Sequence, residues 1–149
     1  MESLLIYESN FDKARKKIRE GKKSGKRIIF SGNDDELNRK ILEKEDIDIL
    51  LPSLRGRKDR MKQRDSGFNH VLAKIAKKKN IIIGIDFREI LQAGFKEKSD
   101  LLGRVRQNIK LANKNKLKMT FILEKEKDIH DMKALGLVLG MPTSMTKNL

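Results

Sequence analysis

Apolar residues in this chain fall into five short runs, separated by longer stretches in which they recur every three or four positions. Residues 3–7 (SLLIY), 27–31 (RIIFS), 47–51 (IDILL), 80–87 (NIIIGIDF) and 117–123 (LKMTFIL) have the length and content of strands. The fourth is nearly continuous, as in a parallel strand covered on both faces. Between the runs the period becomes helical. Phe11, Ala14 and Ile18 form a narrow stripe behind Asn10, a candidate cap, and Gly21 and Gly25 close that helix. Gly32 and Asn33 turn the chain into a second helix, with Asp34, Asp35 and Glu36 in its first turn and Leu37 and Ile41 facing inward. Phe68, Val71, Leu72, Ile75 and Ala76 share one face of a third helix, for which Asp65 and Ser66 are candidate N-caps. Residues 88–95 read as a connecting segment. A long helix over about 99–113 carries Leu101, Leu102, Val105, Ile109 and Ala112 on one face, with Arg106 and Lys110 outside. Ile129, Met132, Leu135, Leu137, Val138 and Leu139 are apolar almost all round, which predicts a last helix buried in its C-terminal half and ending at Gly140 and Pro142.

Strand then helix, about five times, is an α/β pattern with parallel strands. No linker rich in Pro, Ser or Gly divides residues 1–149, so a single domain is expected. Five strands are too few for a closed eight-stranded barrel. An incomplete barrel and a small open sheet both remain.

Charge adds a partner class. The chain has 35 Lys and Arg against 21 Asp and Glu, a net charge of +14, and such a surplus attracts polyanions. It is concentrated after the third strand, where Arg55, Arg57, Lys58, Arg60, Lys62 and Arg64 stand against the single acid Asp59. Loops that follow strands open on the ligand-binding side of α/β folds, so this loop is the candidate RNA-binding element. His70, Lys74 and Lys77 extend it, since they lie within about 60° of one another on a helix, opposite Phe68 and Ile75. Asp65, Ser66, Asn69 and Asp86 are candidates for fixing loops or meeting a partner. Nine of residues 13–27 are also basic, and that stretch suits a solvated helix face as well as an RNA-facing one. With one Tyr, six Phe and no Trp, there is little surface for stacking unpaired bases. Recognition by charge and backbone shape, strongly salt-dependent, is the expected mode. No run approaches a membrane span, no signal peptide is recognisable at the N-terminus, and Cys is absent. A cytoplasmic protein is expected.

Catalytic patterns are missing. His70 and His130 have no HxH or HxxxH partner, and neither a GxSxG elbow nor a GxxxxGK[ST] loop occurs. A metal-dependent phosphoesterase would have to gather Asp86, His70 and His130 from separate elements. A lone Asp86 better suits pairing with a nearby Arg or capping a loop. A ribosomal or packaging protein is the other rival to an RNA-processing role.

The loop's GRKD, followed by DSGFNHVLAKIAKKKNIIIGIDFREIL, resembles the core of the archaeal and eukaryotic ribonuclease P protein component 3 family. RQNIKLANKNKLKMTFIL and ALGLVLGM continue the resemblance over most of residues 27–141. The chain departs from the family in lacking its first strand–helix units, in the RMKQR expansion of the loop, in Gly84 within the fourth strand, and in a short EKEKD segment after Leu123. The resemblance implies an incomplete TIM-like barrel and a non-catalytic subunit of ribonuclease P, the endoribonuclease that removes the 5′ leader of precursor tRNA. It implies that RNA does the chemistry with magnesium while the protein binds no cofactor. The implied partners are the ribonuclease P RNA, precursor tRNA, and a small subunit of ferredoxin-like fold within a heterotetramer.

Overall fold

A computed structural model describes residues 2–32 and 34–149; Asn33 of the Gly32–Asn33 turn lies outside them. The elements run β1 (Ser3–Glu8), α1 (Phe11–Lys23), β2 (Arg27–Gly32), α2 (Asp35–Lys44), β3 (Ile49–Leu50), α3 (His70–Lys79), β4 (Ile82–Asp86), α4 (Phe87–Gln92), α5 (Phe95–Lys114), β5 (Met119–Ile122), α6 (Ile129–Val138) and α7 (Thr143–Thr146). No described helix is long and apolar enough to cross a membrane.

All strand pairs are parallel, and the sheet order β1-β2-β3-β4-β5 repeats the chain order. Each crossover therefore steps the same way, without the reversal that marks a doubly wound sheet. That is the winding of a TIM-type barrel wall, of which five strands are present. The pleat divides the side chains between two faces. Ile6, Ile28, Phe30, Leu50, Ile83, Ile85, Met119 and Phe121 join the main core with the helices. Leu5, Ile29, Ile49, Leu51, Ile82 and Ile122 form a second cluster on the opposite, inner face. Leu5, Ile29, Ile49 and Ile82 are register partners across four strands, so they make one layer of that inner face. Gly84 leaves room for the layer above, since a Cβ there would come within 2.9 Å of Leu51 Cδ1 and 3.1 Å of Ile49 Cγ2.

Several elements differ from the sequence expectation. Residues 88–95 are not a plain connection: α4 starts directly after β4, because Asp86 accepts from the Arg88 amide and caps the helix. Asn69 caps α3, its side chain accepting from Leu72 N at 2.9 Å, so Asp65 and Ser66 belong to the loop before it. The inner face of α3 is Leu72, Ala73 and Ala76; Val71 is exposed, and Phe68 is buried from the loop. In α6 the C-terminal half is not buried as a whole. Leu137 is 47% and Val138 77% exposed, while Met132 and Gly136 face inward.

Candidate nucleic-acid interface

Residues 51–69, between β3 and α3, contain no helix or strand. Such a loop keeps its shape only if its backbone groups find partners elsewhere, and α5 supplies them. The Arg104 side chain, 7% exposed, donates from Nη1 to Leu54 O (2.8 Å), from Nη2 to Arg57 O (2.9 Å) and from Nε to Asp59 Oδ1 (3.2 Å). One helical turn on, Gln107 accepts from Arg64 N (3.1 Å) and donates to Arg64 O (2.7 Å) and Ser66 Oγ (3.0 Å). Asn108 donates to Ser66 O at 3.2 Å. Ser66 Oγ donates in turn to Phe68 O. From α4, Glu89 accepts from Leu54 N (2.9 Å) and Ser53 Oγ (3.3 Å). Burial raises the Glu89 carboxyl above its ordinary value, against the lowering effect of the Leu54 amide.

The six loop cations divide into two sets. Arg57 lies along the loop, its side chain 12% exposed, with paired bonds to Asp35 (2.9 and 3.0 Å), one to Asp65 (2.9 Å) and one to Ser53 O. Burial alone would lower its pKa; Asp35 and Asp65 together raise it. Arg64 binds Asp59 at 3.1 Å and reaches Asp100 at 3.5 Å. Arg55 makes a two-point contact with Glu97 at 2.9 and 3.3 Å. Asp59 is the centre of this network. Its burial pushes the pKa up, but the Asp65 amide, Arg104 and Arg64 hold it below the usual carboxylate range. Lys58, Arg60 and Lys62 are exposed and make no ion pair or side-chain hydrogen bond among the described residues. Arg60 and Asn69 line one cavity of about 220 Å³, which joins the loop to the start of α3. There His70 and Lys74 stand exposed, and Lys77 Nζ donates to Lys116 O at 3.1 Å.

A second polar group sits where the strands end. Asp86 at the end of β4 is 2% exposed. Arg88 Nε and Nη2 donate to its two oxygens at 2.8 and 2.9 Å, Tyr7 OH donates to Oδ2 at 3.3 Å, and Arg88 Nη2 reaches Tyr7 OH at 3.0 Å. The Asp86 carboxylate raises the Arg88 pKa still further. Burial first and the Asp86 charge second raise that of Tyr7. With Glu89, Gln92 and Glu124 these residues line a cavity of about 310 Å³. Both Asp86 oxygens are therefore engaged by protein donors. His70 is the first residue of α3 and His130 the second of α6, and among the described residues no group of three or more His, Asp or Glu could hold a metal ion.

Arg104, Gln107 and Asn108 are the site residues that sequence reasoning missed. The signal was present for two of them: Arg104 and Asn108 fall three and seven positions after Leu101, on the stripe that buries Val105 and Ile109. A charged or amide side chain on an apolar stripe must find partners.

The site is thus an ordered cationic loop beside the carboxyl ends of a parallel, barrel-type α/β sheet. No family model matches the chain. Ribonuclease P protein component 3 of Methanococcus maripaludis strain C7 is 28% identical over 142 residues, 95% of this chain and 58% of the relative. The protein of the same name from Methanocaldococcus jannaschii is 36% identical over 87 residues, 58% of this chain and 35% of the relative. A chain in a cryo-EM structure of archaeal ribonuclease P with mature tRNA shares the fold, with a TM-score of 0.79 at 24% identity, over 98% of this chain and 62% of that one. The chain is thus similar to ribonuclease P protein component 3 over nearly its whole length, and it spans less than two thirds of the length of these relatives.

Proposed function

We propose that this chain is a non-catalytic protein subunit of ribonuclease P, the endoribonuclease that removes the 5′ leader of precursor tRNA, and that it works by giving the catalytic RNA a fixed set of cations. The observation that carries this reading is the division of the loop: Arg57, Arg64 and the buried Arg104 hold its shape, which leaves Lys58, Arg60 and Lys62 exposed to solvent. Cations on a preordered loop offset phosphate repulsion without an ordering cost at the moment of binding. The likeness to ribonuclease P protein component 3 supports ribonuclease P RNA as the polyanion that these cations meet. In this reading the protein holds no cofactor of its own, and magnesium is bound and used by the RNA. Precursor tRNA and a small ferredoxin-like subunit, paired into a heterotetramer, are its proposed partners in the cytoplasm.

Reconstitution tests it. Ribonuclease P assembled from the RNA and remaining proteins of Methanococcus maripaludis, without that organism's component 3, should cleave precursor tRNA at lower magnesium when this chain is added. Adding the chain with Lys58, Arg60 and Lys62 changed to Glu should remove most of that gain. An unchanged magnesium requirement would count against the proposal, as would cleavage by the purified chain alone.

A further inference from the structure

The cavity between the loop and the start of α3 differs in charge from the surface around it. At about 220 Å³ it is smaller than the roughly 300–1,000 Å³ of sites that enclose a drug-sized ligand, so it suits one small ring system. Its wall holds two carboxylates, Asp35 and Asp65, and two guanidiniums, Arg60 and Arg64. These charges balance. On a chain of net charge +14, this one recess therefore favours a neutral polar group over a phosphate, which the two carboxylates repel at short range.

The hydrogen-bonding groups in the wall are unequally used. Gln107 is spent on Arg64 and Ser66, Ser66 Oγ donates to Phe68 O, and Arg64 is held by Asp59 and Asp100. Arg57 fixes both carboxylates, with two bonds to Asp35 and one to Asp65 Oδ1. Asn69 commits its oxygen to the cap of α3. Four groups keep free capacity among the described residues: Asp65 Oδ2, the Asn69 side-chain NH2, the Gln63 side-chain amide and the Arg60 guanidinium.

A fixed carboxylate beside amide donors complements one base edge. Of the four RNA bases, only guanine places two donors, N1–H and N2–H2, side by side for a carboxylate, with O6 next to them for an amide donor. Adenine would turn its N1 lone pair toward the carboxylate, and cytosine its N3 lone pair. Uracil has a single N3–H between two oxygens. Resting on the reading that this loop meets RNA, we propose that the cavity takes one unpaired guanine. Asp65 accepts from N1–H and N2–H2, Asn69 and Gln63 donate to O6, and the exposed Arg60 meets the adjoining phosphate. The loop cations then position the strand, and the cavity selects where along the RNA the loop settles.

Fluorescence anisotropy on the full chain at low salt tests this, with short oligouridine RNAs that carry one guanine, inosine or adenine at the centre. The guanine oligomer should bind about tenfold more tightly than the adenine one. Inosine, which keeps N1–H but lacks the 2-amino group, should fall between them. Asn69→Ser keeps an oxygen to cap α3 while removing the amide donor; combined with Gln63→Ala, it should cut the preference to about threefold or less. Asp65→Asn should abolish the preference, because an amide cannot accept from both guanine donors. Plain oligouridine, held by the cations alone, should bind these variants at least as well as the unaltered chain. Equal affinities for the three oligomers would overturn the guanine site alone, as would binding to none of them while Methanococcus maripaludis ribonuclease P RNA still binds. Binding to neither would overturn the loop reading with it. A preference that survives all of these substitutions would place the guanine elsewhere and overturn the assignment to this cavity.

Discussion

The Arg104 guanidinium is enclosed between α5 and the loop, and all three of its hydrogen-bonding nitrogens end on loop oxygens. Truncating it would strand two carbonyls and leave Asp59 short of a cation, and breaking such a buried charge network costs about 3–5 kcal/mol. Arg104→Ala should therefore lower unfolding stability by about that amount in urea, and should open residues 54–64 to limited proteolysis. Lys58→Ala, which breaks no ion pair or side-chain hydrogen bond among the described residues, should change stability by less than about 0.5 kcal/mol. Equal effects would mean that the loop does not depend on α5. Little of this was legible beforehand. Charge counting marks all six loop cations alike, whereas their roles depend on which acids α2 and α5 bring near: Asp35 for Arg57, Asp100 for Arg64. The start of α3 was ambiguous for a related reason. Asp65, Ser66 and Asn69 all carry a suitable oxygen, and Gly67, at a φ of +73°, turns the backbone between them so that only Asn69 meets the first helical turn.

The strands were readable as short apolar runs because a parallel strand covered on both faces needs apolar side chains on each. Helices at the edge of the sheet were less so. α6 has apolar residues all round, which reads as burial, but Val138 is 77% exposed, and β5 before it is an edge strand that pairs only with β4 among the described residues. What a helix packs against is not encoded in its own pattern. The bend of the sheet was likewise invisible, and Tyr7 offers a direct measure of it. It is the one tyrosine in a chain without Trp, so phenolate absorbance reports it alone. Its partial burial and the neighbouring Asp86 favour the neutral phenol. In the folded chain it should ionise above the ordinary value of about 10. The folded state then holds its proton while the unfolded state has lost it, so stability falls as pH rises above 10 through the folded pKa. Asp86→Asn removes the charge but leaves Arg88 nearby, which should move the titration back down. A native midpoint at the free-tyrosine value would mean that β1 and β4 do not approach each other in solution.

A net charge of +14 attracts any polyanion, so weaker RNA binding by a charge-reversed variant would not by itself locate the contact. Two variants with equal charge separate the long-range field from the local surface. On α1, Arg15 and Arg19 bind the buried Glu45, Lys17 binds Glu8 and Lys22 binds Asp46 and Asp48. Lys13, Lys16 and Lys23 are exposed and unpaired among the described residues, as Lys58, Arg60 and Lys62 are in the loop. Changing either trio to Glu lowers the net charge by six and breaks no ion pair among the described residues. Through the overall field alone, the two variants should lose the same affinity for an archaeal ribonuclease P RNA. If the loop makes the contacts, each lost phosphate contact also takes about 0.7–0.9 from the slope of log affinity against log salt. The loop variant should then flatten that slope by about 2–3, and the α1 variant by less than about 1. Circular dichroism should show both folded, since all six side chains point to water. Equal slopes would remove the loop as the binding element; a larger change in the α1 variant would move the RNA to the other basic face.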